Sequence, residues 1–65
     1  MNDLNTDLLE GAEAIAAFLG MSQRRVFYLA EHRRLPVFKI GNKLSARKST
    51  LLRHIEQLEQ EAMAT

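Results

Sequence analysis

Cysteine is absent from this sequence, which removes disulfides and thiolate metal sites as sources of stability and suits a reducing cytoplasm. Metal-ligand spacing is missing as well. His32 and His54 stand alone, so neither a metal nor another cofactor is expected. Long apolar runs are lacking: none approaches the roughly 18 residues of a membrane span. The first seven residues are polar and acidic, where a secretory leader would be basic and then apolar. A soluble, cytoplasmic protein without membrane contact is the expectation. No glycine-rich phosphate loop follows a strand pattern, and no nucleophile motif stands out. The chain is also short for enclosing a substrate pocket, so it reads as a non-enzyme with no catalytic residues.

What is present fits one small domain. Of the 65 residues 46% are apolar, too many for a disordered chain. A domain of this length buries only about 60% of the surface it exposes when unfolded, so it must economise on core or gain stability from a partner. The formal net charge of +1 hides a strong segregation. Residues 1–21 carry four acids and no base, and residues 49–65 carry three acids and one base. Between them lie eight of the nine basic residues, opposed by Glu31 alone. A central basic block of this kind is the electrostatic footprint of a nucleic-acid surface.

Residues 1–8 lack periodicity and read as a flexible N-terminal tail, with Leu8 and Leu9 as the first candidates to dock. Ala12, Ile15, Ala16 and Leu19 then recur at helical spacing, which predicts a helix over 11–19. Gly20 is its stop, because glycine takes a left-handed conformation without a Cβ penalty. Ser22 is placed to cap a second helix over 23–32, with Val26, Leu29 and Ala30 inward and Phe27 partly buried. Two short helices joined by three residues have the spacing of a helix-turn-helix. Pro36 ends helical structure and pushes Leu35 towards an extended conformation. Residues 37–40 follow as a strand, Gly41-Asn42 as a two-residue turn, and residues 43–47 as a return strand. In that strand Leu44 and Ala46 should face inward, with Lys43, Ser45 and Arg47 outward. A third helix over 48–63 carries Leu51, Leu52, Ile55, Leu58 and Ala62. Its stripe should be core as far as Ile55. Beyond it Leu58, Ala62 and Met63 are candidates for self-association.

At this point the residues resemble a known family. The segments LGMSQRRVFYLAEHRRLP and FKIGNKLSAR look like the short winged helix-turn-helix domain of excisionase and MerR-type proteins. Phage excisionases, AlpA-like regulators and parts of some phage packaging subunits share that domain. The similarity covers roughly residues 9–56. It rests on a Leu-Gly-apolar-Ser start, an Arg-Leu-Pro exit and an apolar-Gly hairpin tip, in that order. The resemblance implies a mainly α fold with a small β-hairpin, in which residues 9–58 form the winged domain and residues 59–65 the end of the last helix. It makes residues 23–32 the major-groove helix and residues 41–43 the wing tip. Two departures stand out. Arg33 occupies a place where the family often has glycine, which implies a strained or altered exit from the second helix. Leu44 and Ala46 replace a bulky aromatic and a larger aliphatic, which implies a less firmly packed wing.

Major-groove readout needs donors on the first turns of an exposed helix. Gln23 and Arg24 answer that need, since Gln pairs with adenine and Arg with guanine, each pair discriminating by about 1–3 kcal/mol. Ser22, Arg25, Tyr28, Arg33 and Arg34 are further candidates for phosphate or base edges. Asn42 and Lys43 would approach a minor groove or phosphate from the wing, and Lys39, Arg47 and Lys48 would line the backbone. Neutralising about five phosphates gives a log K against log salt slope near −4.5.

Together these readings predict a sequence-specific double-stranded DNA-binding protein, either an excisionase or a small transcription regulator. The alternatives are a packaging recognition subunit of small-terminase type and a protein-interaction module using the same fold. One such domain buries about 600–1,000 Å² on DNA, so cooperative binding on repeated sites, self-association, or an integrase-like protein partner is expected. Effector sensing of the MerR type requires a long dimerisation helix and a ligand region that have no counterpart here.

Overall fold

The computed structural model describes residues 4–64 and contains four helices and a three-stranded antiparallel sheet. In chain order these are α1 (Leu4–Asp7), β1 (Leu8–Glu10), α2 (Ala12–Leu19), α3 (Gln23–Glu31), β2 (Phe38–Ile40), β3 (Lys43–Arg47) and α4 (Lys48–Ala64). The strands lie in the order β1-β3-β2. Leu8 pairs with Arg47, Leu9 with Ala46 and Glu10 with Ser45; on the other edge Phe38 pairs with Ser45, Lys39 with Leu44 and Ile40 with Lys43.

Strand β1 corrects the expected tail. Residues 1–3 lie outside the described residues, but residues 4–7 form a helical turn and Leu8–Glu10 hydrogen-bonds along β3. A three-residue strand has no period to read in the sequence, and its partner lies almost 40 residues away. The same correction turns the expected two-stranded hairpin into a sheet with β3 at its centre. Gly11 then reverses the chain at φ 91°, and its N–H donates to the Leu44 carbonyl at 2.6 Å. That bond ties the start of α2 to the sheet.

The α2–α3 unit follows its local signals. Gly20 ends α2 in the left-handed region, with its N–H on the Ala16 carbonyl. Ser22 caps α3 by accepting the Arg25 N–H at 3.2 Å. Helix α3 ends one residue earlier than its spacing predicts, with His32 as the cap. The exit is a Schellman motif, in which Arg33 N–H donates to Ala30 O at 3.1 Å and Arg34 N–H to Leu29 O at 2.7 Å. The motif needs a left-handed residue at its corner, and Arg33 supplies it with φ 56°. Pro36 sits at the centre of a tight turn closed by Val37 N–H on Leu35 O at 2.9 Å. In the hairpin Gly41 alone takes positive φ, at 63°; a negative φ at Asn42 is the pattern of a type II′ turn rather than type I′.

The core is small: Ala12, Ile15, Ala16, Val26, Ala46 and Leu51 are buried, with Leu9, Leu19, Met21, Leu35, Val37 and Leu44 packed around them. Directly opposed residues of an antiparallel pair share a face. Leu9, Leu44 and Ala46 therefore point at the helices together with Lys39, while Phe38, Ile40, Lys43 and Ser45 share the opposite face. Ser45 does not face water as its alternation predicts. It is fully buried at the middle of the central strand, between Glu10 and Phe38, and its hydroxyl donates to the Lys43 carbonyl at 3.3 Å. Phe27 differs in the other direction. It is 55% exposed, because the core closes over Val26 one residue earlier on the helix.

Helix α4 continues from β3 without a connecting residue. Its N-terminus is capped from across the chain. Asp7 Oδ1 accepts the Ser49 N–H at 2.9 Å, and Oδ2 accepts the Ser49 hydroxyl at 2.8 Å and Arg47 Nε at 3.0 Å. The core expected as far as Ile55 stops at Leu51. Leu52, Ile55 and Leu58 are exposed, because the body is too short to flank a 17-residue helix along its length. A last link to the body is His54 Nε2, 3.0 Å from the Arg34 carbonyl.

Candidate nucleic-acid interface

Helix α3 presents most of its surface to solvent; among its nine residues only Val26 is buried. The periodicity of the helix divides the exposed residues into two edges. Arg24, Phe27 and Glu31 follow one another at i, i+3 and i+7 along one edge, with Gln23 beside them. Arg25, Tyr28 and His32 follow at the same spacing along the other. On that second edge the rings of Tyr28 and His32 pack with centroids 4.3 Å apart, at 49°. Both edges begin at the Ser22 cap, whose hydroxyl accepts the Arg25 N–H at the positive end of the helix dipole.

The first edge borders an open groove of about 590 Å³ between α3 and the β2–β3 hairpin. Phe27, Ala30 and Glu31 form one wall; Lys39, Asn42 and Lys43 stand on the hairpin side. Lys39 reaches it because its register with Leu44 puts it on the helix-facing side of the sheet. Gly41 and Asn42 form the exposed tip next to it. Lys39 and Asn42 line the groove together with Lys43, which borders it next to the tip although its register with Ile40 sets it on the opposite face of the sheet from Lys39. Gln23 and Arg24 precede Phe27 on the same helix edge and lie outside the groove lining.

The remaining sequence-predicted residues are placed differently. Arg25 and Tyr28 lie on the second edge of α3. Arg33 and Arg34 are exposed at the far end of that helix, and the Arg34 carbonyl is taken up by His54. Lys48 opens α4 and is half-buried. Arg47, expected to face outward along a phosphate backbone, instead ion-pairs with Asp7. Its charge is answered within the fold. The Asp7 carboxyl is held below the usual carboxylate range, first by the Ser49 hydroxyl, then by the Ser49 N–H and the Arg47 guanidinium, against an opposing push from burial.

Three groups at the site were not signalled by type alone. Glu31 is the acid on the groove wall, and Phe27 and Phe38 line the same groove; the spacing of Phe27 and Glu31 from Arg24 was the available clue. Among the described residues no group of three or more His, Cys, Asp or Glu is arranged to hold a metal ion. No helix among them is long and apolar enough to cross a membrane. No protein-family model matches the chain, and no curated protein or solved structure matches it significantly.

Proposed function

We propose that this domain binds double-stranded DNA as a winged helix-turn-helix, with α3 in the major groove and the β2–β3 hairpin as a wing. The observation that carries the reading is the shared groove. Phe27 and Glu31 of α3 stand across a groove of about 590 Å³ from Lys39, Asn42 and Lys43, and Gln23 and Arg24 precede Phe27 on the same helix edge, outside the groove lining. A phosphate strand lying between helix and wing would meet the two lysines from one side, while the first turn of α3 meets base edges on the other. Glu31 in the same wall repels a phosphate placed too deep, which favours a backbone path near the tip and the start of α3.

A small regulator or a recombination directionality factor fits best, since both need a compact reader without catalytic machinery. The rival within the same class is the recognition subunit of a packaging complex. A second reading, a protein-interaction module of the same shape, is favoured by the exposure of Phe27 and Phe38 at the groove. A gel shift with duplex DNA at low salt separates the two classes. DNA binding predicts a shift that Arg24→Ala and Lys43→Ala each weaken, whereas an interaction module gives no shift. With Arg47 committed to Asp7, about four phosphate contacts remain and the log–log salt slope should be about −3.6.

A further inference from the structure

We propose that the open edge of β2 captures an extended segment of another protein as an added antiparallel strand, with an aspartate or glutamate of that segment set against Lys39. This capture does not rest on DNA binding. In the order β1-β3-β2, strand β2 is an outer one, and no strand among the described residues pairs with its far side. The turn at Gly41-Asn42 has two residues, so Ile40 and Lys43 on either side of it are a hydrogen-bonded pair. Such pairs alternate along an antiparallel ladder, which makes Lys39 and Leu44 a non-bonded pair. The Lys39 N–H and C=O therefore point away from β3, towards the open side. A segment laid along β2 would exchange two backbone hydrogen bonds with Lys39. The side chains fit an uncovered strand. Lys39 is exposed, and Phe38 and Ile40, on the opposite face of the sheet, are 44% and 48% exposed.

The side chains of β2 select the occupant. Directly opposed residues share a face, so the residue set against Lys39 lies on the groove side and its two neighbours lie beside Phe38 and Ile40. An acid at the centre answers the lysine, and apolar residues before and after it cover the two apolar side chains. The matching pattern is apolar-acid-apolar in extended conformation. A second copy of this chain does not supply it through the same edge. Two β2 strands centred on each other would set Lys39 against Lys39, and a lysine on a short edge strand guards against such self-pairing. The groove beside the edge sharpens the choice. Asn42 and Lys43 line its hairpin side with Lys39, whereas Glu31 stands on the α3 wall. The acid is thus favoured at the strand and repelled from the far wall.

Fluorescence anisotropy of the whole chain with two labelled peptides tests the proposal. Both peptides are flanked by serine and threonine; one has a Val-Glu-Val core and the other a Val-Lys-Val core. The Glu peptide should bind wild type about five- to tenfold more tightly than the Lys peptide, and Lys39→Glu should reverse that order. Lys39 is exposed, so the variant should keep the far-UV spectrum and melting temperature of the wild type. Amide hydrogen exchange followed by NMR locates the contact. Saturation with the Glu peptide should slow exchange at the Lys39 N–H, because that group becomes a donor to the added strand. No binding into the millimolar range, equal binding of both peptides, a preference that Lys39→Glu leaves unchanged, or binding without protection of the Lys39 amide overturns the proposal. A chain that captures the Glu peptide but shifts no duplex DNA refutes the functional reading alone; one that shifts DNA and ignores the peptide refutes this capture alone.

Discussion

Replacing Arg33 by glycine should make the protein more stable, although it removes a charged side chain. Arg33 holds φ at 56° in the corner of the Schellman motif that ends α3. An L-residue in that region carries about 1–2 kcal/mol of steric cost. Glycine removes that cost, and its greater freedom in the unfolded chain gives back about 0.4–1 kcal/mol. The Arg33 side chain is exposed, and no hydrogen bond or ion pair of its guanidinium exists among the described residues. Nothing else is therefore lost. The net gain is about 0.5–1 kcal/mol, which in a domain of this size raises the melting temperature by about 2–8 °C. Thermal unfolding followed by far-UV circular dichroism measures it. Arg33→Ala is the necessary control, because it removes the same charge and keeps the strained backbone; it should melt with the wild type. Equal melting temperatures for the glycine and alanine variants would show that the left-handed corner costs nothing and would refute the reasoning.

Other outcomes follow from the caps and the core. Ser22→Ala removes the acceptor of the Arg25 N–H and should cost about 1 kcal/mol in urea unfolding; a change below a few tenths would mean that water caps α3 equally well. Ile15→Ala opens a cavity at a fully buried position and should cost about 2–5 kcal/mol, enough to leave much of so small a domain unfolded at room temperature by circular dichroism. The Asp7 latch gives a pH signature. Its carboxyl is lowered in the folded state, so the stability it contributes is complete above the ordinary unfolded value of about 3.9 and is lost as pH falls through the lower folded value. Wild type should therefore exceed Asp7→Ala in urea midpoint at pH 6 by a margin that shrinks in strong acid, about pH 2. An equal margin at both values would place the latch outside the stability of the fold.

The sequence by itself determined the elements whose signals are local. Helix α2 with its Gly20 stop, α3 with its Ser22 cap, the turn at Gly41-Asn42 and the start of α4 are each written within a few neighbouring residues, because helix periodicity, capping and turn conformation act over one or two turns of chain. The charge segregation that points to the α3–hairpin face is likewise readable along the chain. Tertiary structure alone decided the rest. Asp7 reaches Arg47 and Ser49 across 40 and 42 residues, and that contact converts an apparent tail into an edge strand and takes Arg47 out of the basic surface. Ser45 is buried and Phe27 exposed because the sheet has three strands and the core closes over Val26. Alternation within a single strand or helix cannot register how many neighbours will pack on each side. The same holds for α4, whose apolar stripe reads as core as far as Ile55, whereas the buried part of it ends at Leu51.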